Sequence, residues 1–248
     1  MAINKLMSYT SRGTKYVFHP EQIENLLQRK GKSVITTSIA PTNACNLHCS
    51  YCDTLYAVDP QTEEDKANAY VSMTPEEILE KCCEFNLNKI TFTGGEPLIQ
   101  KDAPELVAAL LDNGYEVNIE TNGAVDLTVF EEKLVDILQD DSLLNNLIYT
   151  LDYKCPTSGM EDKMIMENLG FLIDSDVLKF VVGSQGDLDK MKAILEEYTP
   201  TAQVFVSPVF GQIEPKDIVE YVLANNLQEV RVQIQLHKII WPVNMRGV

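Results

Sequence analysis

Lys89-Ile90-Thr91-Phe92-Thr93-Gly94-Gly95-Glu96-Pro97 begins as a β-branched and aromatic run and ends in a glycine pair and a proline. Such a run reads as a strand, and the Gly-Gly-Glu-Pro that ends it reads as a loop. Working outward, the same signature recurs in Ser33-Val34-Ile35-Thr36-Thr37-Ser38-Ile39, Glu116-Val117-Asn118-Ile119, Leu147-Ile148-Tyr149-Thr150-Leu151, Leu178-Lys179-Phe180-Val181-Val182 and Gln203-Val204-Phe205-Val206. Segments of helical length lie between these strands. The clearest opens with Thr74-Pro75-Glu76-Glu77, where Thr74 can cap, Pro75 suits the first helical position and Glu77 can close a capping box. Ile78, Leu79, Cys82 and Phe85 then fall on one helical face. Further helices are expected over 104–113, 128–138, 163–173, 187–198 and 215–225, and one at 20–28 ahead of the first strand. Six strands alternating with helices predict an α/β fold with a parallel sheet, either open and doubly wound or curled into a partial barrel. Periodicity alone does not choose between them.

In either arrangement, chemistry belongs on the loops that leave the carboxyl ends of the strands. The unusual residues of this chain gather there. Cys45, Cys49 and Cys52 follow strand one, Gly94-Gly95-Glu96-Pro97 follows strand two, Glu120-Thr121-Asn122-Gly123 strand three, and Asp152-Tyr153-Lys154-Cys155-Pro156-Thr157-Ser158-Gly159 strand four.

The whole chain of 248 residues carries 37 acidic against 20 basic side chains, a net charge of −17, with 45% hydrophobic residues. That length and apolar content suit a single globular domain able to bury a large core. The negative excess repels phosphates, and no long basic tract is present, so nucleic acid is not an expected partner. No apolar run approaches the roughly 18–20 residues of a membrane span. The opening Met1-Ala2-Ile3-Asn4-Lys5-Leu6 has no apolar core of a secretory signal, and the expected location is cytoplasmic. In that reducing setting, three of six cysteines crowded into eight residues point to metal rather than to disulfides.

Cys45-Asn46-Leu47-His48-Cys49-Ser50-Tyr51-Cys52 has the spacing C-x3-C-x2-C, which lets three thiolates converge on a small inorganic cluster. A closed zinc site wants a fourth ligand, and His48 sits awkwardly between two of the three. A non-catalytic iron–sulfur carrier or a zinc-ribbon module would likewise call for a four-cysteine set. Three cysteines leave one iron of a [4Fe–4S] cluster open to a small molecule.

C-x3-C-x2-C followed about forty residues later by Gly-Gly-Glu-Pro resembles the radical S-adenosylmethionine (SAM) superfamily. The resemblance implies a partial, six-stranded parallel β/α barrel, a [4Fe–4S] cluster on Cys45, Cys49 and Cys52, and SAM on the open iron. Reductive cleavage of SAM would then give a 5′-deoxyadenosyl radical that abstracts a substrate hydrogen. Gly94 and Gly95 permit close backbone approach and offer carbonyls to the SAM ammonium, and Glu96 is expected to add a carboxylate acceptor.

From Cys45 onward the chain is similar to the 7-carboxy-7-deazaguanine synthase family. The match is carried by Cys52-Asp53-Thr54-Leu55-Tyr56-Ala57, Ile119-Glu120-Thr121-Asn122-Gly123, the strand-four loop, Lys179-Phe180-Val181-Val182, Gln235-Leu236-His237-Lys238-Ile239-Ile240-Trp241 and the closing Arg246-Gly247-Val248. It implies a pterin-like substrate, 6-carboxy-5,6,7,8-tetrahydropterin, whose ring contracts with loss of ammonia while SAM is regenerated. Thr54 would ligate a Mg2+ that also touches the substrate carboxylate. Tyr51, Asn122, Asp152, Lys154 and Ser207 would join Gly94, Gly95 and Glu96 around SAM. Thr93, Glu120, Gln235, His237 and Val248 would face the substrate, with Gln235 and His237 on one side of an extended segment. A flavodoxin- or ferredoxin-type protein would supply the electron, and a homodimer is possible within the family.

The expected layout is a divergent N-terminal extension over 1–32, a barrel core over 33–210 and a C-terminal pocket segment over 211–248. The extension departs from the family pattern, because the usual Gln-Gly-Glu-Gly opening and Phe-x-Arg run are absent and Pro41 stands where an arginine is expected. Arg12 or Lys15 is then a candidate to hold the substrate. Cys82 and Cys83 are expected to pack, Cys155 lies nearer the rim without a paired cysteine, and Trp241 is expected to anchor packing. The alternatives are an activating enzyme for a glycyl-radical partner and a related radical enzyme with another small substrate.

Overall fold

A computed structural model describes residues 37–39, 45–52, 73–84 and 88–241. Its strands are β1 Thr37–Ile39, β2 Lys89–Phe92, β3 Glu116–Thr121, β4 Leu147–Tyr153, β5 Val177–Val182, β6 Gln203–Pro208 and β7 Val230–Val232. The helices are α1 Pro75–Glu84, α2 Ala103–Asp112, α3 Leu127–Ile137, α4 Asn168–Phe171, α5 Gln185–Tyr198, α6 Pro215–Ala224 and α7 His237–Ile240. Every strand pairs in parallel with its successor, in the order β1-β2-β3-β4-β5-β6-β7. Because the order is sequential and β1 and β7 stand at opposite edges, the sheet is a barrel left open. All six strands expected from sequence are present, and the short β7 extends the sheet beyond them.

Strand register separates two chemically different faces. On one, Phe92, Ile119 and Tyr149 align, as do Leu151, Leu178 and Val204, and then Tyr153, Phe180 and Val206. All are buried, and they merge into one core with Leu106, Leu110 and Leu111 of α2, Leu127 and Leu134 of α3, Leu188 and Met191 of α5, and Ile218 of α6. Full burial of each such side chain is worth roughly 1.5–3 kcal/mol. On the opposite face Glu120 aligns with Thr150, and Asp152 with Lys179, Phe205 and Arg231. A register slip of one residue would turn Glu120, Asp152 and Lys179 into the apolar core, so burial fixes which face lines the barrel's interior.

The capping box at α1 forms as expected: Glu77 N–H donates to Thr74 Oγ1 at 3.3 Å, and Thr74 N–H donates to Glu77 Oε2 at 2.8 Å. Cys82 packs in the core, its thiol pushed up to about 11 by burial and by the neighbouring Cys83. Cys83 is exposed instead, and accepts a hydrogen bond from Tyr115 Oη at 3.6 Å. The helix expected over 163–173 is reduced to the single turn α4 preceded by a 3₁₀ turn at Glu161–Lys163. The cause lies in Asn168, whose buried side chain accepts from Leu127 N–H and donates to the carbonyls of Gly123 and Val125, a tertiary use that overrides helical continuation. The expected helix at 20–28, Arg12, Lys15 and Pro41 lie outside the described residues.

Candidate active site

Parallel strands bring their carboxyl ends to one rim, and the loop bearing Cys45, Cys49 and Cys52 is tied to that rim at two places. Near its start, Asn122 after β3 donates from Nδ2 to Asn46 Oδ1 at 2.8 Å and to Cys45 Sγ at 3.4 Å, while Asn46 Nδ2 donates to Ala124 O at 3.2 Å. Between Cys49 and Cys52, Ser50 N–H donates to Ser158 O at 3.0 Å, and Ser50 Oγ donates to Thr157 O at 2.6 Å in the loop after β4.

Each tie is backed by a carboxylate with no exposed surface. Glu96 accepts from Asn122 N–H at 2.7 Å, Leu98 N–H at 3.1 Å and the Thr121 hydroxyl at 3.0 Å. Burial pushes its carboxyl above the usual range, opposed by these hydrogen bonds and by Lys154. Glu96, expected from the resemblance to accept from the SAM ammonium, also joins the β2 and β3 loops through both of its oxygens. The second carboxylate, Asp187, accepts from Thr157 N–H at 2.9 Å and Gly183 N–H at 2.7 Å, bracing the β4 loop from the start of α5.

None of the three cysteines forms a disulfide, and all are partly exposed. The Cys49 thiol is pushed up, first by burial and further by Cys45, Cys52 and Asp152, with Lys154 opposing. Cys49 thus lies within the electrostatic reach of both other thiols and of the Asp152 and Lys154 charges. A bound metal cation favours the thiolate form of its cysteine ligands. Among the described residues no three His, Cys, Asp or Glu side chains close around a single metal ion. A cluster in which each thiolate holds a different iron suits a wider arrangement, and soft sulfur ligands suit iron–sulfur chemistry. The donor set therefore fits the cluster, while His48 is exposed.

Gly94 sits at φ 147 at the end of β2, a conformation that favours glycine, and both Gly94 and Gly95 keep partial exposure at the rim. Asp152 lies between Lys179 Nζ at 3.4 Å and Lys154 Nζ at 3.6 Å. Burial alone would raise its carboxyl, but the two lysines outweigh it and hold it below the usual carboxylate range. Thr93 Oγ1 donates to Glu120 Oε2 at 3.2 Å, which joins the two residues expected at the pterin edge. Ser207 is buried near the end of β6. Three buried polar atoms, Tyr51 Oη, Asp152 Oδ1 and Gln235 Oε1, have no hydrogen-bond partner among the described residues, although Asp152 Oδ1 faces Lys179 Nζ in an ion pair. Groups of that kind are ordinarily satisfied by protein, water or ligand.

The segment expected to be extended around Gln235 and His237 instead turns at Leu236 into α7. Lys238 N–H donates to Gln235 O at 3.0 Å, and Ile240 N–H to Leu236 O at 3.0 Å, so the backbone here is not extended. Thr54 and Val248, and the side chain of His237, lie outside the described residues. Sequence reading missed Asn46, Ser50, Thr157, Asp187 and Lys179. Lys179 could have been found from the period-two polar rows of the strands, Thr91/Thr93, Asn118/Glu120 and Thr150/Asp152.

Residues 39–148 match the radical SAM superfamily. The 7-carboxy-7-deazaguanine synthase of Clostridium acetobutylicum is 42% identical over 207 residues, covering 82% of this chain and 86% of that protein. Among solved structures, QueE from Escherichia coli superposes with a TM-score of 0.57 at 18% identity, covering 81% of this chain and 85% of QueE. SuiB from Streptococcus suis, solved with bound S-adenosylmethionine, gives 0.54 at 14% identity; the match covers 92% of this chain and 54% of SuiB, so the chain spans about half its length. At these identities the two structures speak for the fold.

Proposed function

This chain belongs to the 7-carboxy-7-deazaguanine synthase family of the radical SAM superfamily, and from that premise we propose that it converts 6-carboxy-5,6,7,8-tetrahydropterin to 7-carboxy-7-deazaguanine as a carbon–nitrogen lyase. It is a radical SAM enzyme, and its family implies a [4Fe–4S] cluster and SAM. The glycyl-radical-activating alternative is not favoured, since curated relatives bear the synthase name.

The observation that carries the proposal is the tie of the cysteine loop to the loops after β3 and β4, with the Thr93–Glu120 pair at the carboxyl ends of β2 and β3. When bound, the cluster and SAM supply the one-electron chemistry that yields a hydrogen-abstracting 5′-deoxyadenosyl radical. Cys45, Cys49 and Cys52 would hold the cluster. The carbonyls of Gly94 and Gly95 would accept from the SAM ammonium, and Tyr51, Glu96, Asn122, Asp152, Lys154 and Ser207 would border the same ligand. Lys154, paired with Asp152, presents a cation suited to the SAM carboxylate. Glu120, steadied by the Thr93 hydroxyl, can accept two N–H donors from the guanidine-like edge of the pterin, and Gln235 brings a buried acceptor into the same end of the barrel. Thr54 would add a hard oxygen ligand for Mg2+, and His237 and Val248 would complete the substrate pocket. The layout of 1–32, 33–210 and 211–248 as extension, barrel core and pocket segment belongs to this reading. So do a flavodoxin- or ferredoxin-type electron donor, a homodimer and a cytoplasmic setting. No described helix is long and apolar enough to cross a membrane.

The test is anaerobic reconstitution with iron and sulfide, then reduction and incubation with SAM, Mg2+ and 6-carboxytetrahydropterin, with products read by mass. The expected result is deazaguanine product with SAM regenerated, in a yield that falls without Mg2+ in the wild type but not in Thr54→Ala. SAM cleavage with the pterin unchanged would overturn the substrate assignment.

A further inference from the structure

Asn122 donates from its side chain to a cysteine of the C-x3-C-x2-C loop: its Nδ2 lies 3.4 Å from Cys45 Sγ. Its orientation is fixed from three directions. The backbone N–H is held by Glu96 Oε2 at 2.7 Å, the side-chain Oδ1 accepts from Ala124 N–H at 2.9 Å, and Nδ2 donates to Asn46 Oδ1 at 2.8 Å. Asn46 is in turn oriented by its own Nδ2, which donates to Ala124 O at 3.2 Å. Flipping the Asn122 amide would set an oxygen against both Asn46 Oδ1 and the sulfur, and an N–H donor against another N–H. The network therefore assigns the donor to Cys45. Asn122 is 5% exposed, so water competes poorly for that contact.

We propose that Asn122 is a positioning residue that sets the ease of reduction of the cluster by holding an N–H donor on the Cys45 sulfur. The proposal rests on the radical SAM reading of the site. Reduction adds one electron whose charge spreads onto the ligating sulfurs. A donor aimed at a sulfur stabilises the more negative state, and so raises the reduction potential. The Glu96–Thr121 brace keeps that donor in place without touching the cluster itself, which gives the Gly-Gly-Glu-Pro loop a second task beside offering its glycine carbonyls.

The experiment is EPR-monitored redox titration of the reconstituted protein without substrate, comparing wild type, Asn122→Leu and Asn122→Asp. Leu removes the donor; Asp keeps the Oδ1 acceptor for Ala124 but adds negative charge. The expected order of midpoint potentials is wild type, then Leu, then Asp. The Leu variant should lose several-fold to tenfold in the one-electron reduction equilibrium, where tenfold corresponds to 59 mV. A second measurement uses the wild type alone: asparagine labelled with 15N at the side-chain amide should give a nitrogen coupling to the reduced cluster in pulsed EPR. Midpoints unchanged or raised in both variants, or no coupling in the labelled wild type, would overturn the proposal. A wild type that takes up no cluster would overturn the radical SAM reading as well, and is told apart by its iron content.

Discussion

Glu96 and Asp187 brace the same cysteine loop at two places, each a carboxylate with no exposed surface and each held by several donors, yet they end in different kinds of contact. The chain of hydrogen bonds from Glu96 reaches the loop through a side chain, Asn122, and stops on a cysteine sulfur. The chain from Asp187 reaches it through the carbonyls of Thr157 and Ser158 and stops on the backbone and hydroxyl of Ser50. The first contact acts on the electronic character of a ligand, whereas the second fixes where the loop runs. A carbonyl contact specifies position with no choice of residue in the β4 loop; a side-chain contact can be tuned by one substitution.

Asp187→Ala breaks the comparison most severely. It strands the N–H groups of Thr157 and Gly183 at a buried site, about 1–3 kcal/mol each, so a loss of roughly 2–6 kcal/mol in unfolding free energy is expected from denaturant titration. Ser50→Ala sharpens it. Only one hydroxyl bond to Thr157 is lost, worth about 1 kcal/mol, and the midpoint potential should stay that of the wild type while the cluster is lost faster to a chelator. A potential that moved in Ser50→Ala as far as in Asn122→Leu would erase the distinction between the two sides.

The smallest effect concerns pH. Asp152 is held below the usual carboxylate range, so its contribution to stability is present above about pH 4 and is lost as pH falls through the depressed value. In Lys179→Met one of the two compensating cations is gone, and the folded-state value moves back up. The acid unfolding midpoint, followed by circular dichroism, should therefore lie at higher pH than in the wild type.

The β strands were legible in the sequence because β-branched runs broken by Gly, Pro and Asn mark them directly, and the α1 cap because its Thr74 and Glu77 partners are local. β7 was not, since Val230-Arg231-Val232 is three residues long and gains its pairing from β6. The bracing role of Glu96 escaped the sequence for a related reason. Its partners Thr121 and Asn122 lie 25 and 26 residues away, and only parallel pairing of β2 with β3 brings them together. Asp187 looked like an ordinary first-turn acid of α5, and nothing local tells that its oxygens serve the β4 loop 30 residues earlier. The cluster loop itself was readable because its ligand spacing is local.

The central claim is that Cys45, Cys49 and Cys52 together hold a SAM-cleaving cluster. It is tested most directly by iron content and 5′-deoxyadenosine formation in the reconstituted, reduced protein without pterin, wild type beside Cys49→Ala. The account predicts about four irons per chain and steady SAM cleavage in the wild type, with the brown cluster and the cleavage both absent in Cys49→Ala. Full cleavage retained by Cys49→Ala, or a wild type that binds no cluster and leaves SAM intact, would contradict it.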